Sequence, residues 1–304
     1  MSTIKKVRIG LVFALAMVAV ATIGTHFLGL TPTAQEAQTE PASQRIITVG
    51  GNVTEMVYEL GLGDALVATD STSTYPQSAA ALPKIGYQRT LSVEGVLGQK
   101  PDLLILSGEA GPAPVIEQLK NTGLKVLILP KEHSLDNVKK SIQMIAAATG
   151  REAQAQQWIE RFEQAEQQAS NQTKQPIKAL FVMSHTGALT AAGQDTAADA
   201  VMRIAGLQNI AHDAFKGYKI LNAESLFSQA PDVIITTSEG LDGMGGVDGL
   251  LARTEFAHTP AGKNKRVIAM PAMYLIGFGP RQANALVDLQ NQIKDIPATT
   301  SITQ

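Results

Sequence analysis

The chain has 304 residues, 44% hydrophobic and 17% charged, enough apolar material for about two cored domains of roughly 150 residues each, which excludes wholesale disorder. Its 25 basic and 27 acidic residues give a formal charge of −2, so no basic surplus points to nucleic acid. Cysteine is absent, which excludes disulfides, thiol catalysis, cysteine-ligated zinc, iron–sulfur clusters and a lipidated N-terminal cysteine.

Lys5, Lys6 and Arg8 precede an apolar run from Ile9 to about Leu30, the pattern of an export signal. The run is also long enough to span a bilayer, for which about 20 apolar residues suffice. Its cleavage signals are weak. A cut after Ala34 places Pro32 where a small residue is wanted, and the better-matched Ala19 and Ala21 lie inside the run. Residues 1–34 are expected to be an export signal, cleaved or kept as an anchor, with a polar leader over 35–44. The rest is expected to work outside the cytoplasm.

Arg45–Gly50 is a short β-branched run ending in glycine, and reads as a strand. A helix follows from Gly51, with Asn52 or Thr54 as N-cap, Glu55 in its first turn and Met56, Val57 and Leu60 on its apolar face. Ala65–Thr69, Asp102–Leu106 and Val126–Leu129 read as further strands. Ser134 to Thr149 and Arg151 to about Ser170 have helical apolar spacing, the first stopping at Gly150. Lys178–Met183 opens the second half as a strand, followed by a helix over Thr196–Ile204. Strands alternating with helices predict parallel α/β sheets.

The two halves resemble each other. Gly86 and Tyr87 correspond to Gly217 and Tyr218. Leu91, Ser92 and Glu94 correspond to Leu221, Asn222 and Glu224. Pro101–Ile105 (PDLLI) corresponds to Pro231–Ile235 (PDVII). The expected layout is a lobe over 45–150, a connecting helix over 151–172, a lobe over 173–296 and a tail over 297–304. A helix of about 20 residues at about 1.5 Å per residue makes a rod of about 30 Å, not a flexible hinge. Open α/β sheets bind ligands beyond the carboxyl ends of their strands. Two facing lobes would pool those loops in one cleft, including 70–76, 85–91, 107–112, 131–134, 184–190, 237–246 and 271–281.

The segments RIITVGGNVTEMVYELG, ALVATDSTSTYP, LPKIGYQRTLSVEGVLGQKPDLLI and YLIGFGPR, in that order, resemble the haem-binding periplasmic proteins of bacterial haem ABC importers. These belong to the helical-backbone, cobalamin/siderophore-type class of substrate-binding proteins. The resemblance covers about residues 45–295. It implies the class III periplasmic binding fold, two Rossmann-like lobes with parallel sheets joined by a long rigid helix. It also implies haem as cargo, an ABC permease dimer with its ATPase as partner, a haem donor receptor upstream, and no enzymatic activity.

Within that frame Tyr75 is the expected axial ligand of haem iron. It stands in a Ser/Thr-rich loop after a strand, and a phenolate is a hard anionic donor suited to ferric iron. Arg89 and Arg281 are expected to pair with a propionate or with the phenolate, since guanidinium groups form paired hydrogen bonds to carboxylates. His185 would be a second axial ligand or the ligand of a second haem. Tyr87, Met183, Met273 and Tyr274 would supply apolar wall. Glu94 and Glu224, one per lobe, are the acids the resemblance assigns to docking on permease arginines.

Other chemistries lack their motifs. The five histidines are scattered, which disfavours a zinc or manganese receptor. No GxGxxG follows the first strand, and GxxxxGK[ST] and GxSxG are absent. The glycine-rich Asp242–Gly246 reads as a mobile cleft loop. The same fold carrying a ferric siderophore or a corrinoid is the alternative function. An extracytoplasmic α/β enzyme or adaptor ranks last.

Overall fold

The computed structural model describes residues 44–170, 177–185, 188–221 and 230–297, apart from the side chain of His185. The predicted strands fold into sheets covered by helices on both faces, which explains why their residues are apolar in unbroken runs. In the first lobe β1 (Ile46–Val49) lies between β2 (Leu66–Thr69) and β3 (Leu103–Leu106), with β4 (Lys125–Ile128) beyond β3. All pairings are parallel. Helices α1 (Gly51–Glu59), α2 (Gln77–Ala80), α3 (Val93–Leu97) and α4 (Ala113–Asn121) occupy the crossovers.

After α5 (Leu135–Thr149) and α6 (Glu152–Ser170), the second lobe repeats the plan. Its β5 (Lys178–His185) has β9 (Val233–Thr237) on one side, with β10 (Val267–Met270) beyond it, and the two-residue β7 (Gln208–Asn209) on the other, all parallel. This is the order of the first sheet, with β7, β5, β9 and β10 in the places of β2, β1, β3 and β4. One addition breaks the likeness. The upper half of β5 pairs antiparallel with β6 (Ala188–Ala192), and β6 with β8 (Tyr218–Ile220). Of the stretch 184–190, expected as a cleft loop, Ser184, His185 and Ala188–Thr190 are therefore strand.

The repeated Pro-Asp pair has a physical role. Asp102 Oδ2 accepts from Arg45 N at 2.8 Å, and Asp232 Oδ2 accepts from Lys178 N at 3.0 Å. Each aspartate ties the start of the central strand to the start of its neighbour, just before ladder bonding begins.

Alternation along the strands fills three cores. Ile47, Val49, Leu104 and Leu106 face one outer core of the first lobe, and Leu180, Val182 and Ile234 face that of the second. Ile46, Leu103, Ile105, Ala179, Phe181, Val233 and Ile235 face a shared central core, which also takes in Trp158 and Phe162 of α6. The 19 residues of α6 thus span about 28 Å as a rod buried along one side, against α5 and the last helix. Interiors pack at near-crystalline density, so bending at this joint would open voids.

The remaining helices are α7 (Ala197–Ile204), α8 (Ser238–Gly243), α9 (Gly246–Leu251), α10 (Thr254–Ala257), α11 (Pro260–Lys263), α12 (Ala272–Ile276) and α13 (Gln282–Ile293). Asp242–Gly246 is not the expected loop. It joins α8 to α9 through Gly245 and Gly246, whose φ values of 80° and 74° suit glycine. The start of α1 also differs from expectation. Gly50 takes the cap position with φ 104° and no side-chain cap, because a Cβ there would lie 2.7 Å from the Ser107 Cβ.

Candidate functional site

Asp70, the first residue after β2, is fully buried. Its carboxylate accepts from Gly50 N at 2.9 Å, Thr72 N at 3.0 Å, Thr72 Oγ1 at 2.7 Å and Ser73 Oγ at 2.9 Å. Thr54 uses its hydroxyl to meet Ser73 Oγ and Thr48 Oγ1, both at 2.7 Å. That explains why Thr54 does not cap α1. Lys84 Nζ donates to Thr69 Oγ1, Ser73 O and Ala79 O at 2.7–2.9 Å. Desolvation lowers the Lys84 pKa and the Asp70 charge opposes that shift. The loop that carries Tyr75 is therefore pinned from below by a buried carboxylate and from the side by an ammonium.

Tyr75 rises from this platform with half its surface exposed, and the Tyr75–Pro76 peptide is cis. Among the described residues its hydroxyl forms no hydrogen bond. The guanidinium carbon of Arg281 lies 3.9 Å from the Tyr75 ring centre and 5.0 Å from that of Tyr274. Arg281 donates from Nε and Nη2 to both carboxylate oxygens of Glu55, at 2.8 and 2.6 Å. Burial alone would lower the Arg281 pKa, but the Glu55 hydrogen bonds and charge, joined by the phenol oxygens of Tyr75 and Tyr274, raise it. Burial outweighs the guanidinium at Glu55, whose pKa moves above the usual carboxylate value. The two partners therefore both shift upward, and Arg281 remains a cation throughout the physiological range.

Two other tyrosines differ. Tyr274, in α12, donates to Asp288 Oδ2 at 2.7 Å, and burial together with that carboxylate pushes its pKa well up. Tyr218 is 41% exposed as a residue, yet desolvation of its phenol raises its pKa, with hydrogen bonds to Ala198 and Thr196 opposing. Both are held as neutral phenols. Tyr87 is exposed.

Arg89 donates to Glu109 Oε2 at 2.8 Å, and Lys131 stands 3.1 Å from Glu109 Oε1. This exposed cluster carries one net positive charge. As a set of solvated pairs it adds little stability. Met183, on β5, is half-buried against the central core. Met273, on α12, reaches across so closely that a Cβ on Gly51 would lie 3.0 Å from its Cε. Glu94 is exposed in the first turn of α3, behind the Ser92 cap. Glu224 and the side chain of His185 lie outside the described residues. Among the described residues no group of three His, Cys, Asp or Glu side chains gathers for a metal ion, and no helix is long and apolar enough to cross a membrane.

Glu55, Asp70, Lys84, Glu109 and Lys131 are the site residues that the sequence does not single out. A cavity of about 390 Å³ lies behind Arg281, lined by Glu59, Trp158, Arg161, Phe162 and Asn284. Tyr75 does not line it and is half exposed.

His133 in the loop before α5 packs on Phe278 of the second lobe, ring centres 5.1 Å apart. Burial lowers its pKa below 6.5, with Glu109 opposing and Lys131 assisting. A base with a depressed folded pKa contributes stability above its unfolded pKa and loses it as pH falls through the folded value. Acidification from about pH 7.5 to about pH 5 should therefore lower the melting temperature more in the native protein than in His133→Phe. Equal drops in the two proteins would remove His133 from the acid response.

Residues 46–274 match the family model described as periplasmic binding protein. The structure is similar to that of the periplasmic haem-binding protein BhuT in complex with two haems, with a TM-score of 0.79 and 39% identity, covering 83% of this chain and 98% of that one. The sequence is 28% identical to an uncharacterised ABC transporter substrate-binding lipoprotein, YvrC, of Bacillus subtilis, over 85% of this chain and 82% of that one. It is equally 28% identical to the vitamin B12-binding protein of Vibrio cholerae, over 91% of this chain and 98% of that one.

Proposed function

The chain belongs to the periplasmic binding protein family, and from that premise we propose that it captures haem between its lobes and delivers it to the permease of an ABC importer for haem-iron uptake. It is a substrate-binding protein of the ABC importer type, not an enzyme. The observation that carries the haem reading is Tyr75: a phenol whose hydroxyl has no hydrogen bond among the described residues, on a pinned loop, with a cation against its ring. Phenolate is an established axial ligand type for haem iron.

Arg89 and Lys131 supply the second argument. A porphyrin brings two anionic propionates, whereas the side chains of a corrinoid are largely uncharged amides. Two cations held on one carboxylate suit the former. Tyr87, Met183, Met273 and Tyr274 are proposed as wall, and His185 as a second axial ligand. The protein is proposed to act outside the cytoplasm, tethered where residues 1–34 are retained, and to receive haem from a donor receptor.

The corrinoid reading has one observation in its favour, the names of relatives such as the Vibrio cholerae protein. Separate titrations with haemin and cyanocobalamin decide between the two. Haemin should bind at least about 100-fold more tightly, with high-spin ferric bands in the visible spectrum. Tighter binding of cyanocobalamin would reverse the assignment, and failure of both would point to a ferric siderophore.

Glu94 and Glu224 are proposed to dock on the permease dimer, one under each lobe. Reversing both charges should stop uptake in reconstituted vesicles and leave haemin affinity unchanged. Uptake at the native rate would refute the docking role.

A further inference from the structure

His212 stands in the segment that follows β7, at the carboxyl end of the second sheet, and its Nδ1 lies 2.9 and 3.1 Å from the two carboxylate oxygens of Asp199. Asp199 is in the first turn of α7, with 6% of its side chain exposed. It is itself held in place. Asn209 Nδ2 donates to Asp199 Oδ1 at 2.8 Å and to Ala192 O at 2.9 Å, and Asp199 N donates to Thr196 Oγ1 at 3.1 Å. A carboxylate only accepts, so Nδ1 carries the proton and Nε2 of the neutral ring keeps its lone pair. Among the described residues Nε2 has no hydrogen-bond partner, and 37% of the side chain is exposed. No other histidine ring among them is hydrogen-bonded to a carboxylate.

An imidazole fixed through one nitrogen by a carboxylate is the usual support of a metal-ligating histidine. A bare ion would need three or four protein donors, and among the described residues no such group gathers. Porphyrin iron can be held by one, because the macrocycle fills four positions. The chain beside His212 suits such a ligand. Tyr218 hydrogen-bonds to Thr196 and Ala198, so the turn that carries Asp199 anchors both side chains. Ile220 lies two residues on in β8, on the same face as Tyr218, and is 71% exposed. Lys216 and Lys219 are exposed cations on this segment, against one acid, Asp213.

We infer that His212 is an axial donor for haem iron additional to those proposed for the cleft, a landing site on the second lobe where incoming haem is held by one exchangeable bond. The iron gives up a water and takes Nε2, and no proton moves. The inference rests on haem as the cargo, and is independent of which residue holds the iron in the cleft.

Haemin titrations followed by pulsed electron paramagnetic resonance, on protein with heavy nitrogen in its histidines, test this. Native protein should bind haemin in two classes, and the weaker class should show the nitrogen coupling of an iron-bound imidazole. His212→Gln, whose amide still offers Asp199 a donor, should lose that coupling and need at least about ten-fold more haemin to fill the weaker class. His258→Gln, which alters an exposed histidine of the same lobe, should keep it. Coupling that persists in His212→Gln, or haemin bound with no histidine coupling, overturns the landing site and leaves the haem reading standing. A native protein that takes up no haemin overturns both. Should His212→Gln fold poorly, His212→Cys in this cysteine-free chain serves instead. A thiolate in place of the imidazole should move the Soret band of the weaker class to that of thiolate-bound haem, and an unmoved band overturns the site.

Discussion

Tyr75→Phe should lower haemin affinity by more than about 100-fold, roughly 2.8 kcal/mol, while leaving the folded protein as stable as before. The substitution removes one oxygen and nothing else. The ring remains for Arg281 to stack on, and the hydroxyl has no hydrogen-bond partner among the described residues to lose. Half of the residue is already in solvent, so the stability change should stay within about 0.5 kcal/mol. Two of the other phenols are poor substitutes. Tyr274 is committed to Asp288, and burial favours the neutral form of Tyr218. Residual binding should come from the porphyrin face and from propionates on Arg89 and Lys131, and should fall with added salt because those cations are exposed. Equilibrium haemin titration with visible spectra measures this. A variant that keeps the native spectrum and affinity would take Tyr75 off the iron.

Much of this molecule is legible in local sequence patterns. The Pro-Asp repeat reads as strand entry in both halves, and Asp102 and Asp232 do tie strand starts together. Ser134 and Gly150 bound α5 because a hydroxyl cap and a left-handed glycine act within a few residues of the helix they limit. Long-range partnerships are not legible. Glu55 looks like any acid in a first helical turn, since its partner is 226 residues away. Asp70 and Lys84 look like loop polar residues, because the burial of Asp70 and the hydrogen bonds that both draw from several segments leave no periodic trace. The β5–β6 pairing escapes a reading of the sequence for a related reason. The strand expected to end at Met183 continues to His185 by pairing with β6, and pairing rather than propensity fixes its length.

Asp70→Asn should be the most destabilising of the conservative changes at the site, by about 3–4 kcal/mol, or about 10 °C in melting temperature for a domain of this size. The carboxylate accepts four hydrogen bonds, two from backbone N–H groups and two from hydroxyls. An amide in its place keeps one oxygen and turns an NH2 toward donors. Either Gly50 N and Ser73 Oγ or Thr72 N and Thr72 Oγ1 then lose their acceptor in a place that water does not reach. The loop from Asp70 to Pro76 should loosen, and with it Tyr75, so haemin affinity should fall too. The two substitutions thus separate what the site is from what holds it. Tyr75→Phe should cost affinity without stability, and Asp70→Asn should cost both. Calorimetry beside haemin titration reads the pair. If Asp70→Asn melted within about 1 °C of the native protein, the buried carboxylate would not be what pins the loop, and the rigidity of the Tyr75 platform would have to come from Lys84 alone.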